Sequence, residues 1–105
     1  MDREPELAIL LDTYEKLLTG TQAKILHLRF DDDLSLGEIG QECGISRQAA
    51  RDAIVKGEQK LLAWEQALHL AEKDRVIREL IAQMEKDPEK NDDYLSLLKH
   101  LTEDV

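Results

Sequence analysis

Cysteine occurs once in the chain, as Cys43. A single thiol excludes an internal disulfide framework and a Cys-based zinc cluster, and it points to a reducing, cytoplasmic setting. Two prolines and five glycines among 105 residues leave long stretches with nothing to break a helix. Aromatic residues make up 4%, and alternating runs rich in Val, Thr and aromatics are absent, so there is no β signal. No apolar run approaches the ~20 residues needed to cross a bilayer, and no membrane insertion is expected. Met1 to Pro5 is acidic and lacks the basic start of a signal peptide. Positive charge is also scarce, with 14 Lys+Arg against 23 Asp+Glu and a net charge of -9. That argues against a general polyanion binder, because sequence-blind DNA affinity comes mostly from neutralised phosphates. A net negative charge does not exclude a locally basic DNA-reading face. A length near 100 residues supports one core, burying roughly two-thirds of the unfolded surface, but not separate cofactor and substrate domains.

What is present is helical spacing nearly throughout, and five or six helices are expected. The first helix should begin near Pro5, which suits a first helical turn, and run to about Leu18. Leu7, Ile9, Leu10, Leu11, Tyr14, Leu17 and Leu18 follow the three-and-four spacing of a buried stripe. Gly20 should end it and Thr21 should cap a second helix carrying Ile25, Leu26, Leu28 and Phe30. Asp31, Asp32 and Asp33 then read as a solvated loop. They lack the alternating oxygens, central Gly and terminal Glu of a calcium loop. Ser35-Leu36-Gly37-Glu38 fits a capping box that opens a third helix. Leu36, Ile39 and Cys43 face inward from that helix, and Gly44 suits a left-handed stop.

Ser46 should cap a fourth helix that nothing strongly breaks before Asp87-Pro88, since Gly57 costs only about 1 kcal/mol relative to Ala. This is either one rod of roughly 40 residues, about 60 Å long, or two helices broken near Lys73-Asp74. A short last helix, capped by Asn91, carries Tyr94, Leu95, Leu97, Leu98 and Leu101. The rod outruns a small globule, so its apolar stripe is expected to meet a second subunit. The residues expected at that dimer face are Leu61, Trp64, Leu68, Ile77, Leu80 and Met84. The alternative is that the stripe covers the chain's own first and last helices. The expected domains are residues 1–62, a helix-turn-helix, and residues 63–105, an extension that dimerises.

The informative stretch runs from Leu34 to Lys56. Two helices joined by Gly44-Ile45-Ser46 make a helix-turn-helix pattern. Gly40 allows a close approach, Gly44 supplies a positive φ, Ile45 plugs the angle, and Ala50 with Ile54 face inward. Arg47, Gln48, Arg51, Asp52 and Lys56 are left pointing outward. Residues at the start of such a helix read base edges in a major groove, with Arg suited to guanine and Gln to adenine. The candidate DNA-binding set is therefore Arg47, Gln48, Ala49, Arg51 and Lys56. Residues 19–62 hold six basic and seven acidic side chains, the least acidic part of the chain, and Arg47, Arg51, Lys56 and Lys60 lie on one helix.

Leu18-Thr19 through Gln22, Leu28-Arg29-Phe30, Asp33 to Gly40 and Gly44 to Asp52 resemble region 4 of a bacterial sigma factor, but the chain has no room for a region 2. With the following Glu58-x-x-Leu61-x-x-Trp64-Glu65-x-x-Leu68-His69-Leu70, the sequence is most similar to the YlxM family, small helix-turn-helix proteins of Gram-positive bacteria. The similarity spans roughly Leu10 to Leu70. It departs from the family where Leu28 and Phe30 replace tyrosines and Ala50-Arg51 replaces a Val-Tyr-like pair. The resemblance implies an all-α, often dimeric domain of DNA-binding type, a regulator linked to the signal recognition particle pathway.

Other chemistry finds little support. His27, His69 and His100 are scattered without a paired or Cys/His arrangement, so no metal site is expected. Cys43 reads as a small core residue. No Gly-rich phosphate loop, nucleophile elbow or cofactor motif occurs, which points away from an enzyme. Two functions remain open. One is a DNA-binding regulator. The other, favoured by the acidic balance, is a protein–protein or ribonucleoprotein accessory factor that meets signal recognition particle components.

Overall fold

The computed structural model describes residues 4–103, and every regular element among them is helical. The acidic start read above at Met1 to Arg3 lies outside the described residues. Six α-helices are present: α1 (Glu4–Tyr14), α2 (Gly20–Phe30), α3 (Leu36–Cys43), α4 (Arg47–Leu68), α5 (Leu70–Lys86) and α6 (Asn91–Glu103). The chain divides into two compact units, Met1–Leu68 and His69–Val105. The boundary expected between 62 and 63 therefore falls inside α4.

In the first unit α4 is the central strut, packing against α1, α2 and α3. Its buried residues Ala50, Ile54, Gly57 and Leu61 recur at spacings of three and four and so share one face. Against them lie Leu7, Leu10, Leu11 and Tyr14 of α1, Ala23, Ile25 and Leu26 of α2, and Ile39 of α3. Leu11, Leu26 and Leu61 are wholly enclosed, and each such side chain contributes about 1.5–3 kcal/mol relative to an exposed one. Leu61 was expected at a dimer face. Its complete burial in this core corrects that expectation.

Two helix boundaries also differ from expectation. α1 ends at Tyr14 rather than Leu18, and a single 3-10 turn, Glu15–Leu17, follows it. Leu18 is extended, and the cap of α2 is Thr19 rather than Thr21. Thr19 Oγ1 accepts from the Gln22 N–H at 3.2 Å, and Gln22 Oε1 accepts from the Thr19 N–H at 3.3 Å. A cap at Thr21 would place Lys24 three residues on, and an ammonium cannot accept the return bond. Gly20 thus opens α2 instead of closing α1.

The long rod is interrupted once, at His69, which takes a left-handed conformation (φ 55°, ψ 30°). The break falls before Lys73-Asp74, where the sequence had suggested one. In the second unit α5 and α6 pack on each other, joined by Asp87 and a 3-10 turn at Pro88–Lys90. Asp87 is forced from the helical region by the proline ring that follows it. Asn91 does not cap α6. It is already helical (φ -56°, ψ -35°), and its buried Oδ1 has no hydrogen-bond partner. No residue of α5 or α6 is buried, although both carry apolar faces. Among the described residues no helix is long and apolar enough to cross a membrane.

Candidate nucleic-acid interface

The corner between α3 and α4 is built from glycine geometry and two serine caps. Ser35 Oγ accepts from the Glu38 N–H at 3.1 Å, and Glu38 Oε1 accepts from the Ser35 N–H at 2.8 Å, closing the expected capping box. That backbone N–H, together with the Ser35 hydroxyl, holds the Glu38 carboxyl below its ordinary pKa. α3 stops at Gly44, whose φ of 67° lies in the left-handed region that glycine enters without a Cβ penalty. The Ile45 N–H then donates back to the Gly40 carbonyl at 2.9 Å. A Cβ on Gly40 would stand 2.7 Å from the Ile45 carbonyl oxygen, so the tight approach is to the turn itself. Ile45 is half-buried in the angle, and Cys43 is half-buried rather than fully enclosed. Ser46 Oγ accepts from the Ala49 N–H at 3.0 Å and starts α4.

From that start the helix repeat, ~100° per residue, sorts the side chains. Ala50 and Ile54 are buried, while Arg47, Gln48, Ala49, Arg51, Asp52 and Lys56 are all exposed. Gln48 and Asp52 lie opposite the buried stripe. Arg47 and Arg51 follow on one side of them, Ala49, Lys56 and Lys60 on the other. Gln48 Nε2 donates to Asp52 Oδ1 at 3.0 Å, and Arg51 Nη1 lies 3.8 Å from the same oxygen. The i, i+4 spacing of Gln48 and Asp52 was readable in the sequence, but the resulting hydrogen bond was not anticipated.

The loop before α3 is tighter than a plain solvated run. Asp33 is left-handed (φ 59°), a conformation that Asp tolerates better than most residues. The Leu34 N–H donates to the Leu28 carbonyl at 3.0 Å, and Arg29 Nη1 donates to the Leu34 carbonyl at 3.0 Å. Arg29 therefore ties α2 to the entry of α3. At the end of α2, His27 bridges two carboxylates, with Nδ1 on Asp31 and Nε2 3.1 Å from Glu15. The hydrogen bond to Asp31 raises its pKa from 6.5, with further support from Glu15 against partial burial.

The expected dimer residues separate. Leu61 is in the core, and Trp64 is half-buried beside Tyr14, with ring centroids 6.1 Å apart. Tyr14 also donates its hydroxyl to Glu65 at 2.6 Å. Leu68 is exposed, and Ile77, Leu80 and Met84 are half-buried on α5. Leu80 lines an apolar cleft with Val76, Leu97, His100 and Leu101. Among the described residues there is no cluster of three or more His, Cys, Asp or Glu able to hold a metal ion.

The sequence profile of the family described as "Putative helix-turn-helix protein, YlxM / p13 like" matches residues 1–101. The chain belongs to this family. The match extends beyond Leu10 to Leu70 and takes in α5 and most of α6. Among curated YlxM-like relatives, a UPF0122 protein of Mycoplasma capricolum is 34% identical over 101 residues, covering 96% of this chain and 89% of the relative. A UPF0122 protein of Shouchella clausii is 41% identical over 86 residues, covering 82% and 79%. One from Halalkalibacterium halodurans is 35% identical over 104 residues, covering 96% and 95%. The feature named in the description of the YlxM-like family is the helix-turn-helix.

Proposed function

We propose that this YlxM-like protein is a cytoplasmic DNA-binding regulator that reads duplex DNA with the first turns of α4. The observation that carries this reading is the corner at Gly44-Ile45-Ser46, which buries Ala50 and Ile54 and leaves Arg47, Gln48, Ala49, Arg51 and Lys56 in solvent. In a major groove the two arginines suit guanine or phosphate, Gln48 suits adenine, and the Ala49 methyl suits a thymine methyl. Arg47→Ala and Arg51→Ala should each weaken binding to a cognate duplex and flatten its dependence on salt. Unchanged affinity in both variants would remove the recognition-helix assignment.

The reading includes a homodimer. Two helices of the second unit with apolar faces but no buried residue are too small to form a stable core alone. A second copy supplies the same apolar face by symmetry. Ile77, Leu80 and Met84 of α5 are the residues assigned to it. Half-sites for such a dimer would lie one helical turn apart, ~34 Å.

The net charge of -9 favours a second reading, an accessory factor that meets the signal recognition particle through protein or ribonucleoprotein contacts. A salt titration separates the two. A DNA reader loses affinity steeply as salt rises, whereas an adaptor shows little affinity for DNA at any salt concentration.

A further inference from the structure

We propose that Asp52 is a specificity-determining positioning residue: it fixes the Gln48 side-chain amide as a two-pronged reader of adenine in duplex DNA and opposes binding to phosphates elsewhere. This rests on the DNA-reading function proposed above. Gln48 Nε2 donates to Asp52 Oδ1 at 3.0 Å, and both side chains stand in solvent at the centre of the outward face of α4. An ionised carboxylate only accepts hydrogen bonds, so the amide nitrogen, not its oxygen, must face Asp52. One N–H is thereby committed sideways. We assign to Asp52 the N–H trans to Oε1, so that the other N–H stands beside Oε1 as the donor–acceptor pair that matches N7 and the N6 amino group of adenine in the major groove. Without Asp52 the amide is free to turn over and loses this preference.

The charge of Asp52 acts in the same direction. Between Arg47 and Gly57 it is the sole acidic residue, amid Arg47, Arg51 and Lys56. Arg51 Nη1 lies 3.8 Å from it. Binding to an arbitrary sequence therefore carries a repulsion that a correct base contact must overcome, a device that raises discrimination by weakening wrong complexes.

The test uses the full chain and a pool of randomised duplexes. Sites selected by the wild type are then compared with versions in which each A·T pair is replaced, and with a mixed-sequence duplex, for wild type, Gln48→Ala, Asp52→Asn and Asp52→Ala. The expected result is one A·T pair whose replacement weakens wild-type binding but not binding by Gln48→Ala. Asp52→Ala should reduce preference for that pair roughly fivefold or more, while binding the mixed duplex more tightly. Asp52→Asn, which loses the charge and can donate as well as accept, should also lose part of the preference and share the tighter mixed-duplex binding. Full preference in Asp52→Ala, or no adenine that depends on Gln48, overturns the proposal. Wild-type binding without any selected sequence overturns it and leaves DNA binding standing. No binding to any duplex at low salt overturns both.

Discussion

Gly57 of α4 lies directly against Leu26 of α2: a Cβ at residue 57 would stand 2.7 Å from Leu26 Cδ1 and 2.9 Å from Cδ2. Both residues are buried, and Leu26 has no exposed surface. The two helices touch at this point because one of them has no side chain.

Gly57→Ala is therefore expected to destabilise the protein despite the better helix propensity of alanine. Propensity would return up to ~1 kcal/mol, whereas forcing an extra carbon into a filled core costs about 1–3 kcal/mol. The urea midpoint followed by Trp64 fluorescence should fall. A midpoint that rises would mean that Leu26 has room to move aside.

A contrast between two glycines of α3 tests the corner. Gly40→Ala places a Cβ 2.7 Å from a backbone oxygen that cannot rotate away, whereas the nearest atom to a Cβ at Gly37 is 4.0 Å distant. Gly40→Ala should cost about 2 kcal/mol or more and disturb the Ile45–Arg47 turn. Gly37→Ala should stabilise by up to ~1 kcal/mol. Thermal melts of the pair give opposite signs if the approach of residue 40 to the turn is as tight as described.

His27 should make part of the stability depend on pH. Its folded-state pKa is raised above 6.5, chiefly by the hydrogen bond to Asp31. The protonated form is thus favoured in the native state, and its contribution is complete below about 6.5. It is lost as pH rises through the higher folded value. His27→Gln should remove this share of the alkaline decline, seen by comparing denaturation midpoints of the two proteins between about pH 6 and 9. Parallel curves would show that the bridge to Asp31 and Glu15 contributes nothing.

Association through the second unit predicts that a charge on its apolar face separates the subunits. Leu97 is 52% exposed and lines the cleft with Leu80. Leu97→Asp should shift sedimentation from dimer to monomer while the helical circular dichroism of the first unit persists. A monomeric wild type would remove the dimer from the proposed function.

The corner and its caps were legible in the sequence because each depends on local chemistry. Ser35 with Glu38, Gly44 and Ser46 act within four residues of themselves, and their roles follow from residue type and spacing. Long-range consequences were not legible. Gly57 looked like a mild helix defect because the residue that needs its absent side chain, Leu26, lies 31 positions earlier. Leu61 looked like part of a dimer seam because periodicity shows that a face is apolar, not what covers it. Thr19 was passed over for Thr21 because both can cap, and the reciprocal bond from Gln22 decides between them. The left-handed turn at His69 has no signal from glycine or asparagine. The surface of α4 lay between these extremes, since its outward direction could be read but the tie between Gln48 and Asp52 could not.

His69 also divides the chain into stretches that will tolerate mutation differently. Among the described residues, every fully enclosed side chain precedes it and none follows. Replacements before that point open or overfill an interior, and most will be lost. Replacements after it alter an accessible apolar face whose members can be exchanged for one another without puncturing a core. Sequence drift across this family should accordingly concentrate in the last third, with hydrophobicity kept and individual identities free to change.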